Sequence, residues 1–205
     1  MNSKIGRRPG QRPHHAIGRC AGRDTLDDSL VERIAAGDRL AMQVLYTRYN
    51  VRVYRFALNI VHDAGAAEDL VHEVFLDVWR EAGKFEGHSQ LSTWLLAITR
   101  HKALSRLRTR ATEALDEDSY SCIEDPAENP EISMQKKQRS SILSACLRKL
   151  SPSHREIVDL VYYHEKSIDE VACIIAVPRN TVKTRMFYAR QRLAELLAAE
   201  GVGAA

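Results

Sequence analysis

The stretch SIDEVACIIAVPRNTVKTRMFYARQR, running from Ser167 to Arg192, decides how this chain is read. Ser167 and Glu170 have capping-box spacing, in which a serine side chain and a glutamate three residues on satisfy each other's orphan N–H groups, and this predicts a helix start. The apolar run Val171 to Val177 then meets Pro178, which ends a helix and suits the opening of the next. The stretch therefore predicts two short helices joined by a tight turn at Ala176-Val177-Pro178, the layout of a helix-turn-helix. At 100° per residue the second helix, opening around Asn180 and running to about Ala199, gathers Val182, Met186, Ala189 and Leu193 into one narrow apolar stripe. Asn180, Lys183, Thr184, Phe187, Arg190 and Gln191 fall on the opposite, solvent-facing side, with Arg185, Tyr188 and Arg192 on the back and flank.

Residues 179–192 hold five Lys or Arg and no acid. A merely solvated helix face mixes signs to gain i,i+4 pairs, so an acid-free face points to DNA. Lys183 and Arg190 have the reach for guanine edges or phosphates, Asn180 and Gln191 for adenine, and Thr184 for a thymine methyl. Phosphate contact is the default for each basic residue, because phosphates and sugars take at least half of protein–DNA hydrogen bonds.

Working outward, the apolar spacing is helical everywhere and no strand pattern of useful length occurs, which predicts an all-α chain. Leu30, Ile34 and Ala35 mark a short helix ending near Gly37. Leu40, Val44, Leu45, Tyr49, Val53, Phe56, Ala57, Ile60 and Val61 mark a long one closing at His62-Asp63. Leu70, Val71, Val74, Phe75, Val78 and Trp79 mark a third, ending before Gly83, and Leu91, Trp94, Leu95, Ile98, Leu104 and Leu107 a fourth after the loop 85–90. Towards the C-terminus a further helix begins near Ile132 to Gln138, with Ile142, Leu143, Cys146, Leu147 and Leu150 as its core stripe. Ser153-His154-Arg155-Glu156 repeats the capping-box spacing and predicts another start.

The 205 residues carry a net charge of only +3, but it is an average over segments of opposite sign. Residues 1–23 hold six Lys or Arg and no acid in a Gly, Pro and His-rich context, which reads as a disordered basic tail. Residues 109–135 hold eight acids, one Arg, Pro126 and Pro130, which reads as a flexible acidic linker. The expected organisation is thus a tail at 1–23, a helical bundle at 24–108, the linker at 109–135 and a second helical domain at 136–205. The longest apolar run is seven residues against the roughly 20 of a membrane span, so no membrane insertion is expected, and the basic start lacks the apolar stretch of a secretory signal. A cytoplasmic protein is expected.

Cys20, Cys122, Cys146 and Cys173 lie far apart without metal-ligand spacing and read as free thiols; Cys146 and Cys173 sit on apolar helical faces. Cys122, in the polar acidic segment, is a candidate redox site. The eight histidines show no HExxH or i,i+4 pairing, so neither a metal nor another cofactor is expected. The fourth helix of the bundle is acid-free from Ser89 to Ala111 and strongly basic after Ile98. Such a surface beside a loop containing Phe85 and His88 suits a single strand, with phosphates on the cations and an unstacked base in the loop.

Two sets of motifs together resemble one family. Ala67-Glu68-Asp69-Leu70-Val71-His72-Glu73-Val74-Phe75-Leu76, then Phe85 with Ser92-Thr93-Trp94-Leu95-Leu96-Ala97-Ile98-Thr99-Arg100, look like region 2 of the extracytoplasmic-function (group IV) sigma factors of the sigma-70 family. Leu150-Ser151-Pro152-Ser153-His154-Arg155-Glu156 and Asn180-Thr181-Val182-Lys183-Thr184-Arg185, with Ala189-Arg190, look like region 4. The resemblance covers about 40–108 and 140–197. It implies a transcription initiation factor without catalysis of its own, working in a stress response and held by an anti-sigma factor. Its partners would be promoter DNA and core RNA polymerase, through the β′ clamp helices and the β subunit. By the same resemblance Asp69, His72, Glu73 and Phe75 would dock on polymerase. Phe85, His88, Ser89, Trp94, Arg100, Lys102 and Arg106 would open and hold the −10 element. Arg179, Asn180, Thr181, Lys183, Thr184, Arg185, Phe187 and Arg190 would read the −35 element. The linker would thread toward the polymerase channels. The family usually has Gln where this chain has His72 and Arg where it has Tyr188.

A competing reading is a two-domain helix-turn-helix regulator with an N-terminal sensing domain. It asks for a phosphorylatable Asp at a strand end or a ligand-pocket pattern before residue 108, and neither is present.

Overall fold

The computed structural model describes residues 25–113 and 134–201, and within them every regular element is helical. The first unit comprises α1 (Thr25–Ala35), α2 (Arg39–Val61), α3 (Ala64–Glu81), a 3₁₀ turn at Ala82–Lys84, and α4 (Leu91–Glu113). The second comprises α5 (Met134–Arg148), α6 (Pro152–Val158) running on as a π-helical segment at Asp159–Tyr163, α7 (Ile168–Ile175) and α8 (Arg179–Ala199).

Short polar side chains punctuate the first unit. Asp38 caps α2 by accepting from the Leu40 and Ala41 amides at 2.9 and 3.2 Å, and it also takes the Arg33 guanidinium at 2.6 Å, which ties α1 to α2. The Arg33 bond and the Ala41 amide hold its carboxyl below the ordinary range. At the other end of α2, His62 adopts the left-handed conformation (φ 55°) and Asp63 begins α3 by accepting from the Ala66 amide at 2.8 Å. A single dipeptide therefore closes one helix and opens the next. The core of this unit packs α2, α3 and α4 side by side through Leu45, Val53, Leu70, Val74, Val78, Leu91 and Leu95, with α1 laid across one end through Leu30, Val31 and Ile34. Asp27 on α1 accepts from Arg48 and from the Tyr49 hydroxyl, so the end helix is held by a buried polar contact as well.

Two boundaries depart from the sequence reading. α4 continues to Glu113 instead of stopping at 108, because nothing between Arg108 and Glu113 breaks a helix; the Thr109 hydroxyl donates back to the Ser105 carbonyl at 3.2 Å and Arg110 reaches Asp63 at 3.3 Å. α6 begins at Pro152, capped by Ser151, whose side chain accepts from the His154 amide, so Ser153 is not the cap. Proline lacks an N–H and has its φ preset for the first helical position, which moves the start two residues earlier than the Ser153–Glu156 spacing suggests. Glu156 is engaged instead with Arg100. The Ser167–Glu170 capping box is present in full.

The two units are packed against each other. The core of the second, built on Leu150, Ile157, Leu160, Val171, Ile174, Ile175, Val182 and Met186, is completed by Phe56 of α2 and Leu96 of α4. Burying a side chain of this size contributes roughly 1.5–3 kcal/mol, so these two residues alone give the contact substantial hydrophobic weight.

Candidate functional site

α8 has the two-sided surface that its wheel predicts. Val182, Met186 and Ala189 are buried, while Asn180, Lys183, Thr184, Phe187, Arg190 and Gln191 are exposed. The turn before it is formed by Ala176 in the left-handed conformation (φ 54°), closing α7 through its amide on the Ala172 carbonyl. Pro178 then opens α8. Arg190 lies over the ring of Tyr162 at 5.8 Å, within reach of a cation–π contact. Arg179 pairs with Asp169 at 3.1 Å across the turn, and Thr181 is half-buried at the start of the helix. Phe187 and Tyr188 stand exposed, with ring centroids 5.5 Å apart.

Arg185 behaves differently from the rest of its set. It faces away from the exposed side and lines a cleft of about 280 Å³ between the units, alongside Phe56, His62, Arg100, Arg155 and Asp159. Its place on the helix flank turns it toward α2 and α4 rather than toward a duplex lying on Lys183 and Arg190.

The second basic region, on α4, is ion-paired to α3. Lys102 reaches Asp77 at 2.7 Å and Glu73 at 3.5 Å; Arg106 reaches Asp69 at 2.7 Å and Glu73 at 3.7 Å. Burial lowers the Lys102 pKa, but the carboxylates outweigh it and hold the ammonium above its ordinary value. Two groups that the sequence reading assigned to different partners, the acids of α3 and the cations of α4, thus lie on one surface and neutralise each other. His72 is exposed beside them, whereas Phe75 is buried against Tyr46 and supports α3 from within; it is not a surface contact.

The loop before α4 holds its aromatic residues inward. Phe85 and Trp94 pack at 5.1 Å, both partly buried; Ser89 is buried; His88 is exposed and lies 2.8 Å from Glu86. Arg100 is directed at the second unit, donating to Glu156 at 2.7 and 3.3 Å.

Sequence reading missed the polar cluster where α7 meets the start of α4. The Lys166 ammonium donates to Gln90 Oε1 at 3.1 Å, Ser92 Oγ at 2.6 Å and Glu170 Oε1 at 3.2 Å, so each of its three N–H groups has an acceptor. Glu170 also accepts from the Thr93 hydroxyl at 2.6 Å and from the Ser167 amide and hydroxyl at 3.0 and 2.8 Å. Burial would raise the Glu170 carboxyl, but the bonds from Thr93 and Ser167 and the Lys166 charge hold it below the ordinary range; burial lowers Lys166 and outweighs Glu170. The one signal in the sequence was a lysine set just before an apolar helix. Cys122 lies outside the described residues, Cys146 is buried and Cys173 half-buried. Among the described residues no group of His, Cys, Asp or Glu is placed to hold a metal.

Fold and surface define a two-unit helical DNA-binding protein carrying a helix-turn-helix. Residues 45–113 match the sigma-70 region 2 model and residues 140–193 the sigma-70 region 4 model, together more than half of the chain. This chain belongs to the sigma-70 family, in its extracytoplasmic-function branch. It is 29% identical over 180 residues to the RNA polymerase sigma-H factor of Pseudomonas aeruginosa, covering 83% of this chain and 93% of that one. It is 28% identical over 163 residues to the ECF RNA polymerase sigma factor SigK of Mycobacterium tuberculosis, covering 78% and 87% respectively. The sigma factor RpoE of Bartonella quintana, solved with the anti-sigma factor NepR, superposes with a TM-score of 0.64 at 28% identity, over 76% of this chain and 96% of that one.

Proposed function

We propose that this chain, as an RNA polymerase sigma factor, directs initiation by binding core polymerase through α3 and two promoter elements through α4 and α8. It performs no catalysis itself and works in the cytoplasm, where its polymerase is. The observation that carries this reading is the division of α8 into a buried apolar stripe and an exposed, acid-free face bearing Lys183, Thr184, Phe187 and Arg190. That face suits the major groove of the −35 element, with Arg179, Asn180 and Thr181 at the end nearest the DNA backbone. Arg185 is left out of the set, because it faces the cleft.

The start of α4 and the loop before it suit the opened −10 strand. Melting costs a few kcal/mol per unstacked step, so contacts that only a single strand can make must supply it. His88 is the exposed group at the corner where Phe85, Ser89 and Trp94 pack inward, and this corner is assigned to the unstacked base; Lys102 and Arg106 on the α3 side of α4 and Arg100 on its α6 side offer cations to phosphates. Asp69, His72 and Glu73 are the exposed polar groups of α3 offered to polymerase, and Phe75 holds them in position. The acidic segment between α4 and α5, residues 114–133, serves as a connection that lets both units reach their elements, and an anti-sigma factor is the expected inhibitor.

The test is transcription with purified components. The protein added to its cognate core polymerase should start RNA synthesis at specific sites on fragmented genomic DNA, and core polymerase alone should not. Absence of specific starts across the whole fragment library would refute the reading.

A further inference from the structure

The exposed arginines of α8 are held in different ways. Arg179 pairs with Asp169 at 3.1 Å and Arg192 with Glu195 at 2.9 Å, so each has a carboxylate occupying part of its guanidinium. Among the described residues no carboxylate pairs with Arg190; its guanidinium instead lies over the ring of Tyr162, 5.8 Å from the ring centre. Tyr162 belongs to the π-helical segment Asp159–Tyr163, a wide turn closed by the His164 amide on the Asp159 carbonyl at 3.1 Å. Leu160 and His164 of this stretch are buried, whereas Tyr162 remains 60% exposed. A ring so exposed adds little to the core, and single turns of this kind recur at functional sites. Its contact of consequence is with Arg190.

We infer that Tyr162, which precedes the helix-turn-helix in the chain, is a positioning residue of the duplex-binding surface and acts through Arg190. The inference rests on the reading of α8 as the duplex-binding helix. Its physical basis is the division of a guanidinium into face and edge. An aromatic ring holds the group by its face, through the ring quadrupole, and leaves the in-plane N–H donors and the full charge for a guanine edge or a phosphate. A carboxylate does the opposite. It takes the edge, neutralises the charge, and must be displaced before the same donors can reach DNA. Arg190 is thus oriented in advance with its donors still available, so less side-chain freedom is lost when it meets a duplex. It shares the exposed face of α8 with Lys183 and Phe187, and a guanidinium fixed there meets a duplex laid on that face.

The experiment uses the full chain with Tyr162→Phe, Tyr162→Leu, Arg190→Ala, and Tyr162→Leu combined with Arg190→Ala. Tyr162 is largely exposed, so replacing it leaves the core intact. NMR of arginine-labelled protein reads the contact without DNA: the Arg190 side-chain protons should carry a ring-current shift that Tyr162→Phe keeps and Tyr162→Leu abolishes. Fluorescence anisotropy reads binding to a short DNA duplex selected from a random-sequence library by the wild-type chain. Tyr162→Leu should weaken that binding about two- to fivefold, the size of a cation–π contact at an exposed site, while Tyr162→Phe should bind as wild type does. On the Arg190→Ala background Tyr162→Leu should cost nothing more. Equal loss with Tyr162→Phe would put the hydroxyl itself on DNA and overturn the inference. So would an undiminished loss on the Arg190→Ala background, no loss with Tyr162→Leu, or no ring-current shift in the wild type. Failure to select any duplex would refute the reading of α8 instead, a result kept separate because the ring-current comparison needs no DNA.

Discussion

Lys166 and Ser92, 74 positions apart in the chain, are joined by a 2.6 Å hydrogen bond in a buried contact between the two helical units. The bond links a lysine of the helix-turn-helix unit to the start of the helix assigned to strand capture.

The basic residues of α8 divide by face. Lys183→Ala and Arg190→Ala should each weaken binding to a −35 duplex and lower the salt dependence of binding by about one unit of slope where the contact is to phosphate. Core polymerase binding should be unchanged in both. Arg185→Ala should affect duplex binding less than either, because its side chain lies in the cleft. Anisotropy titrations at several salt concentrations, with a parallel polymerase pull-down, check all three; equal loss with Arg185→Ala would return that residue to the duplex face.

Arg100 and Glu156 are both largely shielded, at 21% and 15% side-chain exposure, and meet through two hydrogen bonds. A double-mutant cycle with Arg100→Gln and Glu156→Gln, read by urea unfolding, should give a coupling energy of roughly 1–2 kcal/mol, above the usual exposed pair. A coupling near zero would mean that the units are mostly apart in solution.

Phe56 belongs to α2 yet completes the core of the second unit. Phe56→Ala should cost about 3–5 kcal/mol, the usual range for such truncations. The loss should appear as weakened protection in α6 and α7 as well as in α2. An effect confined to α2 would show that the shared core does not form in solution.

His62 gives the packing of the two units a pH dependence. Burial in the cleft, and then the charge of Arg155 on α6, hold the imidazole below its ordinary value of 6.5. Arg100 of α4, Arg185 of α8, and Glu156 and Asp159 of the α6 segment also face the cleft. An imidazole with a lowered value favours the packed form when neutral, so the packing is fully supported above about pH 6.5 and weakens as the pH falls below it. Small-angle scattering between pH 7.5 and 5.5 should show expansion on the acid side, reduced in His62→Gln. Glu170, whose carboxyl is also lowered, keeps its contribution above about 4.5 and loses it only at more acid pH.

Helix positions, the capping box at Ser167, the cap pair His62-Asp63 and the exposed face of α8 were all legible in the sequence. Each depends on residues within a turn or two of one another, and spacing reports such relationships directly. The start of α6 was misplaced because two serines compete for one cap and Pro152 chooses between them. The linker boundary was placed too early because charge composition changed before the helix ended.

Residues far apart in the chain were another matter. Glu170 was visible as a capping residue, but its second partner, Thr93, lies 77 positions away. The acids of α3 and the cations of α4 carried separate meanings until folding set Asp69 beside Arg106 and Glu73 beside Lys102. Local periodicity and capping chemistry by themselves determine that this chain is helical, that it carries a helix-turn-helix, and which face of α8 is basic. Tertiary structure alone decides that the start of α4 is packed against α7 while that face of α8 stays exposed, because burial and long-range hydrogen bonding depend on which surfaces meet, and no spacing within a helix encodes that.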